Sequence, residues 1–546
     1  MSIILRQISR GPGYLAILPF LCLVLSPMDW SVHAKQLTVD EVNQAVETWV
    51  RYATADAKPN AVIERMEPYK EDGKTVAFIA SIAGGGFCLC GQDDLVAPVY
   101  LYSPEGSFDP ENPGCQFVLS EIAARTRGLA QAAKLKSPMF QRHEERLLKR
   151  EQMWQALIAG RVSGLKMLRM GAAVEPDMME LHLTSRWHQG HPYNDQCPDL
   201  TYTSERTLVG CQGTAFSQIM YYWKWPTTGM GSKTIIYDYR FRTDWDSQPL
   251  TVNPKPSQFP GVWRGRLDWS SGSGGRLWMT GSWDHSIYAS ARNLSTNTNY
   301  LTALEALYNR LASASRTSTA NFWATTYDWS IVQDLHQDPS DTGDAEVAKL
   351  CHHAAVANDS YFGVDGTGSD WWRVPGPGGG LAQYLRYDGD STYTNPRNVD
   401  MMVEEIQWLR PFGMGGGPPG HAWVIFGYNK GLDPWQFKMN MGWGGSSAWY
   451  TLDPVDPPEP TDPPIPPLNH LTHIAPAGIV CFVGGGVSGD GSPQTPYANV
   501  EEAVQDAPDG TTLIFKAGSD NTFASAPLII DKPLILKGKD AIIRKN

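Results

Sequence analysis

The sequence predicts an α+β protein made of several units. The chain has 546 residues, which is more than one domain usually holds. Apolar residues at helical spacing alternate with short β-rich runs that Gly, Asp and Pro interrupt. Hydrophobic residues make up 42% and charged residues 19%, with 52 Gly, 40 Pro and 20 Trp. This composition is globular and indicates loop-rich, aromatic-lined surfaces.

Residues 1–34 have the pattern of a signal peptide. Arg6 and Arg10 precede the apolar stretch 14–27, and the small residues of S-V-H-A lie just before Lys35. The apolar stretch is too short for a comfortable membrane span, although a single anchor helix is the alternative. No later segment has the length and apolarity of a span. We therefore expect a protein secreted to the extracellular space, periplasm or cell surface, without membrane association once the signal is removed.

Net charge and cysteine usage narrow the function. The formal net charge is −12, which argues against nucleic acid as a partner, because phosphate-binding surfaces need a basic excess. Cys22 would leave with the signal, and the seven remaining cysteines are an odd number, so at least one thiol is unpaired. Cys88 and Cys90 are too close to bridge each other, and a bond from one of them to Cys115 stays open. An exported protein that keeps a free thiol is a candidate to use it.

The N-terminal unit, residues 35–140, is predicted to be a small α+β module. Residues 37–53 have a helical apolar period, and β-rich runs follow at 75–82, 85–91 and 96–104. Residues 141–164 then predict an exposed, charged helix. We expect the segment 141–174 to be a helical connector that is accessible to proteases.

Three further segments complete the chain. Residues 175–453 form the largest unit. The Pro-dense run 453–467 begins at its end and predicts a semi-rigid spacer, so residues 454–473 are assigned to a Pro-rich linker. Residues 474–546 combine one helix, 500–507, with the short strands 511–518, 526–531 and 533–538. This spacing is typical of a partial parallel β-helix, and a short coil of that kind cannot bury its own ends.

Cys211 occupies a position suited to a nucleophile. It follows Gly210 and begins an apolar run whose four-residue period predicts a helix from about Cys211 to Trp225, ended by Pro226. At a helix N-terminus the macrodipole and the free N–H groups favour the thiolate and lower the thiol pKa. The commoner role for such a cysteine is a buried structural thiol, so Cys211 needs partners to be read as catalytic.

Three other residues supply what a cysteine nucleophile requires. His421 follows a Gly/Pro loop and begins a strand-like run, which would hold its ring rigidly at a cleft. Asn440, on a later strand, could hydrogen-bond the His421 ring and hold its tautomer. The side-chain amide of Gln189 could donate to an oxyanion, with the backbone N–H of Cys211 as the second donor.

The order Gln189, Cys211, His421, Asn440 is that of the papain-like cysteine proteases. More specifically, the chain resembles the streptopain family, the C10 cysteine peptidases, in four blocks: W-H-Q-G-H-P-Y-N-D-Q-C-P (187–198), G-C-Q-G-T-A-F-S-Q-I-M-Y-Y-W-K-W-P (210–226), G-G-P-P-G-H-A-W-V-I-F-G-Y (416–428) and K-M-N-M-G-W-G-G-S-S-A-W-Y-T-L-D (438–453). Residues 85–108 also resemble that family's propeptide. The resemblance extends over residues 37–453.

The resemblance implies a papain-like cysteine protease fold and a residue-by-residue assignment. Cys211 would be the nucleophile, His421 the general base and then acid, and Gln189 an oxyanion donor. Asn440 lies in the block that supports the histidine, where Trp443 matches a tryptophan of the family. No metal or organic cofactor is implied.

The resemblance also implies that the protein is a secreted cysteine endopeptidase made as a zymogen. Its substrates would be proteins and peptides, and residues 35–140 would be an inhibitory propeptide, released by cleavage between about 141 and 178. The sequence departs from the family at Met441, which replaces a tryptophan, at Phe426, which replaces an aspartate, and at Gln212 and Gly213 beside the nucleophile. The alternatives are an impaired pseudo-peptidase, another cysteine acyl transferase such as a transglutaminase or amidase, and a carbohydrate-binding or carbohydrate-degrading protein.

Overall fold

The architecture comes from a computed structural model of the chain. Two predicted segments, the signal peptide and the Pro-dense run 453–467, lie outside the residues that it describes. The described residues are 35–53, 60–71, 73–135, 138–162, 176–200, 205–236, 264–270, 274–280, 286–291, 317–337, 341–360, 362–363, 367–369, 374–416, 420–432, 434–445, 447–452, 468–524 and 528–545.

The N-terminal module, defined here as residues 35–162, is a four-stranded antiparallel sheet packed against three helices. Its elements are α1 (Val39–Ala53), β1 (Ile63–Glu71), β2 (Lys74–Ile82), β3 (Phe87–Cys90), β4 (Val99–Ser103), α2 (Pro113–Leu135) and α3 (Pro138–Ile158). The sheet order is β1-β2-β3-β4. Each predicted β-rich run therefore contains one strand, and the predicted first helix is present.

The helix α3 confirms the predicted charged helix, but one of its faces is buried in this module, so residues 141–158 are not exposed throughout. Arg150 and Trp154 are buried. The Arg150 guanidinium donates to the carbonyl of Leu95 (2.8 Å), and the Trp154 indole N–H donates to the carbonyl of Val96 (2.8 Å). The many charged residues of α3 predicted an exposed helix. A long charged side chain can nevertheless be buried when its head group donates to a backbone acceptor.

The central domain, residues 176–472, contains most of the remaining elements. They are β5 (Met178–Glu180), β6 (Asp199–Leu200), β7 (Glu205–Arg206), α4 (Cys211–Trp223), β8 (Ser232–Ile236), β9 (Arg264–Ser270), β10 (Gly274–Thr280), β11 (Ser286–Ala291), β12 (Thr317–Asn321), α5 (Asp344–Ala357), α6 (Gly380–Leu385), β13 (Thr392–Thr394), α7 (Val399–Gln407), β14 (Phe412–Gly416), β15 (His421–Asn429), β16 (Gln436–Asn440), β17 (Ala448–Thr451) and β18 (Asn469–Thr472).

One sheet of eleven strands runs through both the module and the central domain. Its order is β1-β2-β3-β4-β17-β16-β15-β14-β18-β13, and β5 pairs with β15. The junction is the antiparallel pair β4 and β17, in which Tyr102 lies opposite Trp449 and Leu101 lies opposite Tyr450. Helices α4 and α5 pack together in the core, where residues 212–221 of α4 are all buried.

The strand β18 corrects the predicted boundary of the central domain. It lies beyond the Pro-dense run, yet it pairs with both β14 and β13 inside the main sheet. The segment assigned to the linker up to residue 473 thus contains a strand of the central domain. Its four residues are too few for a sequence pattern, and its partners are distant in the chain.

The C-terminal coil, residues 473–545, follows. It contains β19 (Val480–Val483), α8 (Val500–Asp506), β20 (Thr512–Phe515), β21 (Asp520–Phe523), β22 (Ile535–Lys537) and β23 (Ile542–Lys545). All of its strand pairs are parallel: β19 with β20, β20 with β22, and β21 with β23. The predicted strand at 526–531 is absent from its described part, 528–531.

The cysteines and the hydropathy of the helices complete the description. All seven described cysteines are free, so Cys115 forms no disulfide bond with Cys88 or Cys90. Cys88 and Cys90 lie in the core cluster of α1 and α3, whereas Cys115 lies in the larger cluster of the main sheet. Within the described ranges, no helix has the length and apolarity to cross a membrane.

Candidate active site

Cys211 is the first residue of α4, as predicted. Gly210 precedes it with a φ of 88°, a conformation that glycine adopts without strain. A Cβ at Gly210 would lie 2.8 Å from both the Cγ2 and the carbonyl oxygen of Thr367. Glycine is therefore required at this position for two reasons: its positive φ and its close packing against Thr367. The packing of Gly210 against Thr367 therefore fixes the position of Cys211 at the start of α4.

His421 is the first residue of β15, the strand on which α4 packs, and it begins a strand as predicted. The backbone N–H of the next residue, Ala422, donates to the Cys211 thiol. The nucleophile candidate and the histidine candidate are thus brought together by α4 packing on β15. Among the described residues no hydrogen bond joins the Cys211 thiol to the His421 ring.

The His421 ring is oriented by a backbone carbonyl. Its Nε2 lies 2.8 Å from the carbonyl oxygen of Met441. Because a carbonyl can only accept, Nε2 must carry the hydrogen, and Nδ1 then keeps its lone pair. That is the tautomer a general base needs if it receives a proton at Nδ1. The ring of Trp443 stacks on the imidazole with centroids 3.8 Å apart and planes 10° apart.

No hydrogen bond joins the Asn440 side chain to the His421 ring, and the Met441 carbonyl takes the predicted place of Asn440. The Asn440 amide donates to the carbonyl of Ser185 (2.6 Å) and accepts from the N–H of Gly442 (3.0 Å). Asn440 thus holds the turn that carries Met441 and Trp443. Sequence reasoning could not have found Met441, because every residue has a carbonyl.

Gln189 is positioned near the helix start by its backbone. Its carbonyl accepts from the N–H of Val209 (3.0 Å), two residues before Cys211. The residue is partly exposed. The structure thereby brings the segment with Gln189 beside Cys211, and the oxyanion role of its side chain stays a prediction.

The N-terminal module covers the histidine side of this site. Phe117 of α2 packs beside both His421 (centroids 6.4 Å apart) and Trp423 (5.7 Å). A Cβ at Gly114 would lie 3.0 Å from the Trp443 ring. A cavity of about 230 Å³ remains between the start of α2 and the turn that follows β16.

Burial sets the protonation of the two candidates. It raises the pKa of the Cys211 thiol, although the N–H groups of Ala422, Gln212 and Cys211 itself oppose that shift. Burial also lowers the pKa of His421 to about 4, against the opposing effect of the Met441 carbonyl. At neutral pH both groups are therefore uncharged with the module in place. This is a resting pair and not a thiolate–imidazolium pair.

One cluster in the described part of the chain has the composition of a metal site. His336 Nδ1 lies 2.9 Å from a carboxylate oxygen of Asp341 and 3.1 Å from one of Asp344. However, His336 Nε2 accepts from the N–H of Gln333 (3.0 Å). Nδ1 must then carry the hydrogen and donate it to the carboxylates, which leaves no lone pair for a metal. The cluster fits a structural role better than a metal site.

The candidate site residues lie in the part of the chain that matches a known protein family. Residues 187–257 and 302–450 match the model of the Peptidase C10 family. Cys211, His421, Asn440 and Trp443 all lie inside the matched residues. No curated protein matched the chain.

Two solved structures from Prevotella intermedia are similar to this chain. One is a fragment of a mutant prointerpain A, with 20% identity, a TM-score of 0.46, and coverage of 74% of this chain and 97% of that one. The other is the active wild-type interpain A cysteine protease, with 21% identity, a TM-score of 0.34, and coverage of 55% and 98%.

Proposed function

Because this chain is a streptopain-like cysteine peptidase of the C10 family, we propose that it is a secreted endopeptidase made as a zymogen. Cys211 is its nucleophile and His421 its general base. The observation that carries this assignment is the position of Cys211 at the start of α4, against the strand that begins with His421. The tautomer that the Met441 carbonyl imposes leaves His421 Nδ1 free to accept a proton.

The proposed reaction proceeds through a thioester. His421 Nδ1 takes the thiol proton of Cys211, and the thiolate attacks the carbonyl carbon of the scissile peptide bond. The Gln189 amide and the Cys211 N–H donate to the oxyanion. The C–N bond breaks as His421 gives the proton to the leaving amine. Water, deprotonated by His421, then attacks the thioester, and the acid product and the free thiol are released.

The N-terminal module is the proposed inhibitor. Phe117 and Gly114 of α2 occupy the space beside His421 and Trp443, where a substrate chain would have to pass. Burial favours the neutral forms of Cys211 and His421, and the module contributes to it at His421 through Phe117. Release of the module would admit water and lower the cost of forming the thiolate–imidazolium pair.

The activating cut is expected after α3. Since α3 is packed into the module, the predicted interval of 141–178 narrows to the stretch between Ile158 and Met178. A cut there leaves β5, which pairs with β15 at residues 178–180, attached to the central domain. Secretion rests on the predicted signal at residues 1–34, and sequencing the N-terminus of exported protein would test it.

The function is tested with the full chain before and after limited proteolysis. We would measure hydrolysis of casein and labelling of thiols by an epoxide, located by mass spectrometry. We expect hydrolysis to appear on trimming, to be abolished by Cys211→Ala, and to survive Cys351→Ala, which removes a buried thiol of α5. Labelling of Cys211 without hydrolysis would show that the substrate class is wrong. Absence of labelling at Cys211 would refute its role as nucleophile.

A further inference from the structure

The turn that carries the Met441 carbonyl rests on a chain of buried polar groups. The turn comprises residues 440–443. Asn440 holds it from within, by accepting from the N–H of Gly442 (3.0 Å), and is itself anchored on the carbonyl of Ser185 (2.6 Å). Ser185 is 1% exposed, and its hydroxyl donates to the Oε1 of Gln218 (3.0 Å). The chain therefore runs from the histidine support to a side chain inside α4.

Gln218 is fully buried, at 0% exposure, two helical turns after Cys211. Its Nε2 has no hydrogen-bond partner among the described residues. That atom faces the turn, since a Cβ at Gly442 would lie 3.9 Å from it. An apolar side chain of similar length would fill the same space without a buried amide that is only half satisfied. Packing alone therefore does not account for glutamine at this position.

We infer that Gln218 is a positioning residue for His421, acting through Ser185 and the turn 440–443. It ties the helix that starts with the nucleophile to the turn whose carbonyl orients the base. The relative position of the two reacting side chains is thus set inside the protein, away from the surface that substrate and module share. The inference rests on the proposed role of His421.

The expected consequence is catalytic and depends on pH. In Gln218→Met the Ser185 hydroxyl loses its acceptor, and the turn is no longer fixed to α4. The Met441 carbonyl then holds the His421 N–H less well, which weakens the imidazolium form. We expect kcat to fall about 10- to 100-fold, the effect typical of groups that orient a functional histidine. We expect KM to change less than about twofold, because Gln218 contacts no substrate.

The experiment uses the full chain, processed by limited proteolysis, with kcat and KM measured from pH 4 to 9. For Gln218→Met we expect the acid limb of kcat/KM, where the base His421 loses its proton, to move to lower pH. Ser185→Ala should reproduce this change, and the double variant should be no worse than either single variant, since all three break one chain. Ser217→Ala is the matched control: its hydroxyl is equally buried but donates to the carbonyl of Gly213 within α4 (2.6 Å).

The outcomes separate the inference from the proposed function. Wild-type protein without activity that depends on Cys211 would refute the function. Active wild-type protein with unchanged kcat and pH profile in Gln218→Met, or with equal losses in Ser217→Ala, would refute the inference alone. If Gln218→Met fails to fold, Ser185→Ala decides, because it removes the hydroxyl and leaves its backbone carbonyl on Asn440. An unchanged pH profile in Ser185→Ala would then overturn the inference.

Discussion

The N-terminal module and the C-terminal coil both pack on the central domain, but they do so in different ways. The module extends the sheet edge at β17 through only two residue pairs, and α2 lies across the site with a cavity beside it. Its contacts include Phe117 against His421. The module therefore covers functional residues, and its contact with the central domain combines a shared hydrophobic core with a cavity.

The coil contacts the end of α7 and the residues that follow it through buried groups. Arg410 forms an ion pair with Glu405, both about 1% exposed. The Arg410 guanidinium lies 4.6 Å from the Phe482 ring and donates to the carbonyl of Pro493 (3.4 Å). The N–H of Ala517 donates to the carbonyl of Gln407 (2.8 Å). The coil thus completes the burial of an ion pair in the central domain.

The module covers the candidate site, whereas the coil covers a buried ion pair. The module also shares a hydrophobic core with the central domain. Uncovering the ion pair beneath the coil would expose charges arranged for a dry environment. We expect loss of the module to raise the reactivity of Cys211, because Phe117 no longer covers His421. Disturbing the coil should change stability and leave the chemistry of Cys211 alone.

The largest effect should come from the buried ion pair beneath the coil. Arg410→Met leaves the Glu405 carboxylate buried without its main partner. We expect the free energy of unfolding to fall by about 3–5 kcal/mol. Urea unfolding of both proteins, each carrying Cys211→Ala to prevent self-cleavage, measures the difference.

Lys516→Ala is the control for that measurement. It removes an ion pair between the coil and Glu404 whose side chains are 30% and 50% exposed. Exposed pairs contribute at most about 1 kcal/mol. Equal effects of Arg410→Met and Lys516→Ala would mean that the buried ion pair stabilises the fold no more than an exposed pair does.

The module and the central domain should also respond to pH with opposite signs. Burial, with Asp94 nearby, raises the pKa of Asp93 in the module to about 7, although Arg150 opposes the shift. The unfolded chain ionises Asp93 near 3.8, so the module loses stability as pH rises from about 4 to about 7. Burial lowers the pKa of His352 in α5 to about 4, from 6.5. The central domain therefore loses stability as pH falls from about 6.5 to about 4.

Amide hydrogen exchange can measure the pH dependence of stability in the module and in the central domain at the same time. After correction for the intrinsic exchange rate, protection of β2–β4 should be higher at pH 5 than at pH 7, and protection of α5 should be lower. Each trend is at most about 1.4 kcal/mol per pH unit. Asp93→Asn should flatten the trend in the module and leave α5 unchanged. A module whose protection falls towards acid would contradict the assignment to Asp93.

Local signals made part of this site predictable. Gly210 before Cys211, Pro226 after α4, and the Gly/Pro loop before His421 each act on neighbouring residues, so they can be read from the sequence. The Met441 carbonyl, the Ser185–Gln218 hydrogen bond and the position of β18 depend on partners far away in the chain. The burial of α3 was hidden for the same reason, since Arg150 and Trp154 find acceptors 55 and 58 residues earlier.

The smallest expected effect comes from replacing one phenylalanine of the module, with one phenylalanine of the coil as its control. Phe117→Ala removes a ring that packs beside His421, and Phe482→Ala removes a buried ring of the coil that packs on Trp408 and Arg410. In the uncut chain we expect Phe117→Ala to raise the rate of epoxide labelling of Cys211 about tenfold, a change of about 1.4 kcal/mol. Phe482→Ala should lower stability without raising that rate. Because both variants lose the same side chain, equal labelling would show that general loosening, and not the cover over His421, limits the reactivity of Cys211.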